Sequence, residues 1–193
     1  MTLTRIALLA LASMASTLSA CALPALPPPD ATMANIQAVR VGGLPPMQVG
    51  AFSPAPGAPT EMDSQITVRA GIQPAPGGSY AKYLGEVLAA DLKAAGKLDP
   101  NTDLVVSGVV VDTHVDSGMP AGAAGAKLAA KFTLVKAGKT VFDKTLSVNA
   151  VWNSEFIGAV AIPDAVNHYM GLFPALANKL FTDPDFIAAS KAG

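Results

Sequence analysis

The chain has 193 residues, 51% hydrophobic and 14% charged, with a formal net charge of −1 and one cysteine. Typical domains carry about 25% charged residues, so this surface holds little charge, and the absence of any Lys or Arg run excludes a nucleic-acid footprint. A disulfide within the chain is excluded as well, because Cys21 has no second thiol to meet.

The N-terminus opens on Arg5, followed by an apolar core from Ile6 to Met14. That core is too short to cross a bilayer, and residues 1–20 read as a secretory signal. Leu18, Ser19 and Ala20 directly before Cys21 form a lipobox, which resembles bacterial lipoprotein precursors. The resemblance implies cleavage between Ala20 and Cys21 and acylation of the Cys21 sulfur. An ordinary signal peptide or a buried N-terminal helix would leave an unpaired thiol in an exported protein without a role; acylation gives it one. Ala22 follows the cysteine, and the lack of an aspartate there resembles lipoproteins released to the outer membrane. Loss of the signal also removes Arg5, leaving 12 basic and 14 acidic residues and a formal charge of −2.

Residues 22–33 contain Pro24 and the run Pro27, Pro28, Pro29. With the lipidated cysteine they belong to a tether over residues 21–34, and the twelve residues 22–33 in polyproline II would reach about 37 Å at about 3.1 Å per residue. A single α+β domain is expected over residues 35–187, with 188–193 as a C-terminal tail. Residues 35–41 alternate polar and apolar, as a half-buried strand should. Gly42, Gly43, Pro45 and Pro46 break that strand, residues 47–52 resume an extended edge, and 53–59 are a Pro-rich loop. Residues 66–72 read as one short strand.

Ser79 is a good N-cap, and Tyr80, Leu84, Val87, Leu88, Leu92 and Ala95 recur at helical spacing until Gly96. Residues 104–115 are valine-rich on both alternate sets, as expected of a central strand covered on both faces. The small residues of 117–125 read as a mobile hairpin loop. Ala126, Leu128, Ala130, Phe132 and Leu134 then alternate with polar residues, and after a turn at Gly138 a returning strand puts Phe142, Leu146, Val148, Ala150 and Trp152 on one face. Lys144 breaks this pattern, which a bulge or an edge position would explain. A final helix has Pro163 in its first turn and carries Val166, Tyr169, Met170, Phe173, Ala177, Leu180 and Phe181 on one stripe. Pro174 should kink or split it, and Asp183-Pro184-Asp185 should end it.

The order of lipobox, tether, Tyr80-x-x-Tyr83-Leu84-x-x-Val87-Leu88, Val106-Ser107-Gly108-Val109-Val110 and Leu180-Phe181-Thr182-Asp183-Pro184-Asp185-Phe186 resembles uncharacterised bacterial envelope lipoproteins of the YajG type. More distantly it resembles auxiliary lipoproteins of intermembrane lipid transport. The resemblance spans residues 35–187 and implies a mostly antiparallel sheet with two main helices packed on one face. Several such proteins act by binding partners, and the resemblance brings no catalytic residue.

The residues themselves offer few alternatives. His114 and Asp116 point to one side of a strand, but a stable metal site wants three or four ligands, and His168 is the only other histidine. Ser107-Gly108 lies inside a strand, with no Gly-x-Ser-x-Gly elbow. The segment from Gly118 to Gly125 leads into a strand and lacks a following Lys-Ser or Lys-Thr, so it does not fit a phosphate loop. Asp183 and Asp185 read as a helix stop rather than an acid and base. No catalytic residue, cofactor or metal is therefore expected. The expected role is a periplasm-facing outer-membrane lipoprotein, anchored through Cys21, that binds or assembles with an envelope protein. A carrier for an apolar ligand held between helices and sheet is the alternative, and an unrecognised enzyme near His114 or His168 a third.

Overall fold

Residues 26–192 are described by the computed structural model. Cys21 and the cleavage point at Ala20 lie outside them. The elements run α1 (Met33–Val41), β1 (Gln48–Pro54), α2 (Thr60–Ser64), β2 (Gln65–Val68), β3 (Gly71–Pro74), α3 (Tyr80–Ala95), β4 (Leu104–Asp116), β5 (Ala123–Lys136), β6 (Lys139–Asn153), α4 (Gly158–Phe181) and α5 (Pro184–Lys191).

α3 forms as its sequence dictates. Ser79 Oγ accepts from the Lys82 N–H at 3.0 Å, and Gly96 closes the helix in the left-handed conformation at φ 73°. β4, β5 and β6 make a long antiparallel meander, to which β1 adds in parallel along the far side of β4, in the order β1-β4-β5-β6. Ala137 and Gly138, both at positive φ, give the tight β5–β6 turn the twist its strands need.

All five inward residues expected on β5 are buried. α3 packs over β1 and β4, and α4 over β5 and β6, so both main helices lie on one face of the sheet, as expected. Tyr80, Phe132, Tyr169, Phe173 and Phe181 fill the space between these layers. Phe52 enters that space against Gly108 and Gly85, where an added Cβ would come within 2.4 and 2.8 Å of its ring.

Several expectations are corrected. Residues 35–41 are helix, not strand: Thr32 Oγ1 caps α1 by accepting from the Asn35 N–H, and the residues buried on α1 are Asn35 and Val39, four apart. The polar Asn35 faces inward, which inverts the alternation. Residues 66–72 form two paired strands, because Arg69 at φ 52° turns the chain between β2 and β3. β4 is covered on one face only; on the other Val105 and Val109 are half-buried and Val111 is exposed, beside the exposed pairs Lys127–Asp112 and Lys131–Asp143.

Within the expected Pro-rich loop, β1 continues to Pro54, and α2 follows that loop. α4 begins five residues before Pro163 and runs through Pro174 unbroken. Its Pro174 carbonyl accepts from Asn35 Nδ2 at 3.1 Å. The sequence beyond residue 187 continues α5 as far as Lys191. Asp183 ends α4 as expected and also caps α5, accepting from the N–H groups of Asp185 and Phe186. Lys144 sits on edge strand β6, facing inward, where it pairs with Asp183 at 2.7 Å and Asp185 at 2.8 Å.

Candidate functional site

The chemistry-bearing residues do not converge. Thr113 Oγ1 is 2.6 Å from the Tyr169 hydroxyl on the helix side of β4, so His114 next to it points to the uncovered side. Asp116 there accepts from the Gly118 N–H at 2.9 Å. His168 lies on the helix side, stacked on Trp152 at 4.4 Å and 15° and 3.6 Å from Asp164. The two histidines are thus on opposite faces of the sheet. Among the described residues no three His, Cys, Asp or Glu side chains gather where an ion could be held. Ser107 pairs in register with Thr133 inside the meander.

What the fold does bring together is one end of the domain. Arg69, at the β2–β3 turn, donates from Nη1 to the Phe156 carbonyl at 3.2 Å and from Nη2 to Ser154 Oγ at 2.9 Å and to the Glu155 carbonyl. Its backbone N–H donates to Ser117 Oγ at 3.2 Å, and the Ser154 N–H donates to the Gly122 carbonyl at 2.8 Å. The β2–β3 turn, the β4–β5 loop and the β6–α4 junction are therefore tied into one tip.

This corrects the reading of 117–125 as a loop with nothing to hold it. Residues 123–125 belong to β5, Gly122 bonds Met119 and Ser154 through its backbone, and the Ser117 and Asp116 side chains accept from Arg69 and Gly118. On the tip, Met119 is 77% exposed, Phe156 72%, Ile157 63% and Val160 52%. Large apolar side chains that gather on a surface, rather than scattering singly, mark contact sites. In the sequence Met119 stands alone in its loop, and its neighbours are nearly 40 residues away. The β5–β6 pairing of Ala123 with Asn153 brings the two segments to one end, and the Ser154–Gly122 bond and the Arg69 side chain tie them there without leaving a sequence motif.

A concavity of about 560 Å³ runs between β1 and α3, lined by Val49, Ala51, Phe52, Gly85 and Ala89 together with Lys82 and Glu86. Strand addition there is obstructed. Met47 already pairs with the 97–99 segment, β1 is irregular between Val49 and Phe52, and Pro54 has no N–H to offer. The opposite edge is blunted too, since Lys144 points inward from β6 and Lys179 Nζ donates to the Ser147 carbonyl at 2.8 Å.

The far end of the domain receives the residues that precede α1. Thr32 N–H donates to Asp91 Oδ1 at 2.9 Å, and Asn178 Nδ2 donates to Asn35 Oδ1 at 3.0 Å. Burial pushes the Asp91 carboxyl above the usual range, against the hydrogen bonds from Asn35 and Thr32. Pro174, which joins this cluster, is 16 residues along α4 from its start at the tip, or about 24 Å at about 1.5 Å per residue.

No family model matches the chain, and no curated protein matches it. Solved structures to which it is similar include a Xanthomonas campestris protein of family DUF330, at 16% identity and TM-score 0.45 over 71% of this chain and 79% of that one. A candidate lipoprotein from Caulobacter crescentus gives 13% identity and TM-score 0.42, over 56% of this chain and 84% of that one. A minor lipoprotein from Acinetobacter baumannii gives 10% identity and TM-score 0.38, over 72% and 90%.

Proposed function

We propose that the chain is a lipid-anchored lipoprotein of the bacterial outer membrane that faces the periplasm and works by binding or assembly, without catalysis. The anchor is the lipobox cysteine, Cys21, and the release to the outer membrane rests on Ala22 after it. One observation carries the binding role: an apolar tip, braced by Arg69, stands about 24 Å from the place where the chain joins α1. The alternative of a ligand carried between helices and sheet is less well supported, because aromatic side chains occupy that space.

The test uses the full-length chain and its Cys21→Ser variant in a bacterial host. Wild type should fractionate with the outer membrane and enter the detergent phase, whereas the variant should be soluble or uncleaved. Equal partitioning of the two would sink the anchor, and an Ile157→Asp variant that keeps every interaction of the wild type in cells would sink the binding surface.

A further inference from the structure

We infer that the tip docks a protein partner whose own contact surface is an apolar patch ringed by basic side chains. This rests on the binding role proposed above and goes further by naming the chemistry of the partner. The centre of the tip is Met119, Phe156, Ile157 and Val160, contributed by the β4–β5 loop, the β6–α4 junction and the first turn of α4. Such side chains are the kind that dominate interface cores. They are presented on a braced surface, because the Arg69 hydrogen bonds hold the segments in place before any partner arrives, which lowers the ordering cost of docking.

The rim decides what the centre meets. Residues 65–74, 116–123 and 153–164 contain three acids, Asp116, Glu155 and Asp164, and one cation, Arg69; Asp164 faces His168 at 3.6 Å, which leaves Asp116 and Glu155 to the rim. The Arg69 guanidinium faces inward on Ser154 and the carbonyls of Glu155 and Phe156. Glu155 makes no ion pair among the described residues and is exposed. Such a rim repels an anionic lipid surface. It also repels a second copy of itself, since a tip-to-tip pair would set acid against acid. A partner with Lys and Arg around an apolar patch satisfies both the centre and the rim.

The experiment places the photo-crosslinking residue p-benzoylphenylalanine at position 157 of the full-length lipidated chain in its native host, with positions 145 on the open sheet face and 93 on α3 as controls. The expected result is an adduct to another protein at 157 alone. Its yield should fall about tenfold in a Glu155→Lys background, because one attraction becomes a like-charge contact, and should fall as external salt is raised on permeabilised cells. Glu155 anchors nothing through its side chain, so that variant should keep the wild-type melting temperature. Asp116→Lys serves as a second charge reversal.

Adducts at 157 to lipid or to a second copy of the chain would overturn the inference. So would adducts whose yield ignores both charge reversals and salt, which would leave an apolar contact without the basic ring. Protein adducts only at 145 or 93 would overturn the tip while leaving the binding role standing. Adducts at none of the three positions would remove both.

Discussion

Asn35 Nδ2 donates to Asp91 Oδ2 at 2.6 Å, and both side chains are withdrawn from solvent. This contact joins α1 to α3, and Asn35 continues it to Pro174 and Asn178 on α4. A carboxylate so placed costs desolvation free energy that hydrogen bonds from Asn35 and Thr32 offset only in part, so its folded-state pKa is raised. Asp183 shows the opposite balance: burial alone would raise it, but Lys144 and the N–H groups of Phe186 and Asp185 hold it below the usual range.

The two carboxyls therefore predict opposite pH dependence. A raised folded pKa means that the fold favours the protonated form, so the contribution of Asp91 is greatest below its unfolded value and falls as pH rises through the interval up to its folded value. A lowered folded pKa means that the contribution of Asp183 is present above its unfolded value and is lost as pH falls toward its folded value. Denaturant melts between about pH 3 and 7 check this. Wild type should gain on Asp91→Asn as the pH is lowered and lose its margin over Asp183→Asn. Parallel curves for the two variants would contradict at least one of the assignments.

Phe132→Ala should cost about 3 to 5 kcal/mol, since this ring is fully buried and meets Phe52 edge-on at 6.3 Å. Lys131→Ala, next along β5, should cost about 0.5 kcal/mol, because its pair with Asp143 is about half exposed. Urea titration of both variants compares them directly. Equal losses would mean that the register of β5 is shifted by one residue.

How much of this was legible in the sequence follows from which interactions are local. α3 could be read to the residue because Ser79 and Gly96 cap it from within its own segment. The β5–β6 hairpin could be read because its alternation holds on both strands except at Lys144 and Gly138 marks its turn. α1 was misread because seven residues fit either period, and the deciding partner of Asn35 is 56 positions away on α3. Lys144 could be seen as an exception, but its reason, the pair Asp183 and Asp185, comes from the far end of α4. The tip is legible only in part: the β5–β6 register sets residue 123 beside 153, but the bonds that add the β2–β3 turn through Arg69 are tertiary.

Gly108→Ala should destabilise the domain by about 1 to 3 kcal/mol, because the new methyl would sit 2.4 Å from the Phe52 ring with β4 backbone behind it. The companion change Phe52→Leu should recover part of that loss in a double-mutant cycle, since the smaller side chain vacates the overlap. Additive losses in thermal melts would show that Phe52 is not what excludes a side chain at this position.

Arg69 offers the sharpest test of the tip as a unit. Its side chain bonds three acceptors on the β6–α4 junction, and its backbone holds the β4–β5 loop through Ser117. Removing the side chain with Arg69→Ala leaves those acceptors to water, at a cost of about 1 to 3 kcal/mol. Alanine at φ 52° adds strain of its own, so Arg69→Gly separates the two effects: glycine keeps the turn relaxed and loses only the guanidinium. Hydrogen exchange is the discriminating measurement. Both variants should exchange faster at the amides of Gly122 and Ser154, while those of α3 and the middle of β5 keep wild-type protection, because local opening need not reach the core. If Arg69→Gly restores full protection at Ser154, the guanidinium does not brace the junction and the tip is held by backbone pairing alone. If protection falls throughout α3 and β5 instead, the tip is part of the cooperative core and cannot act as a separate contact surface.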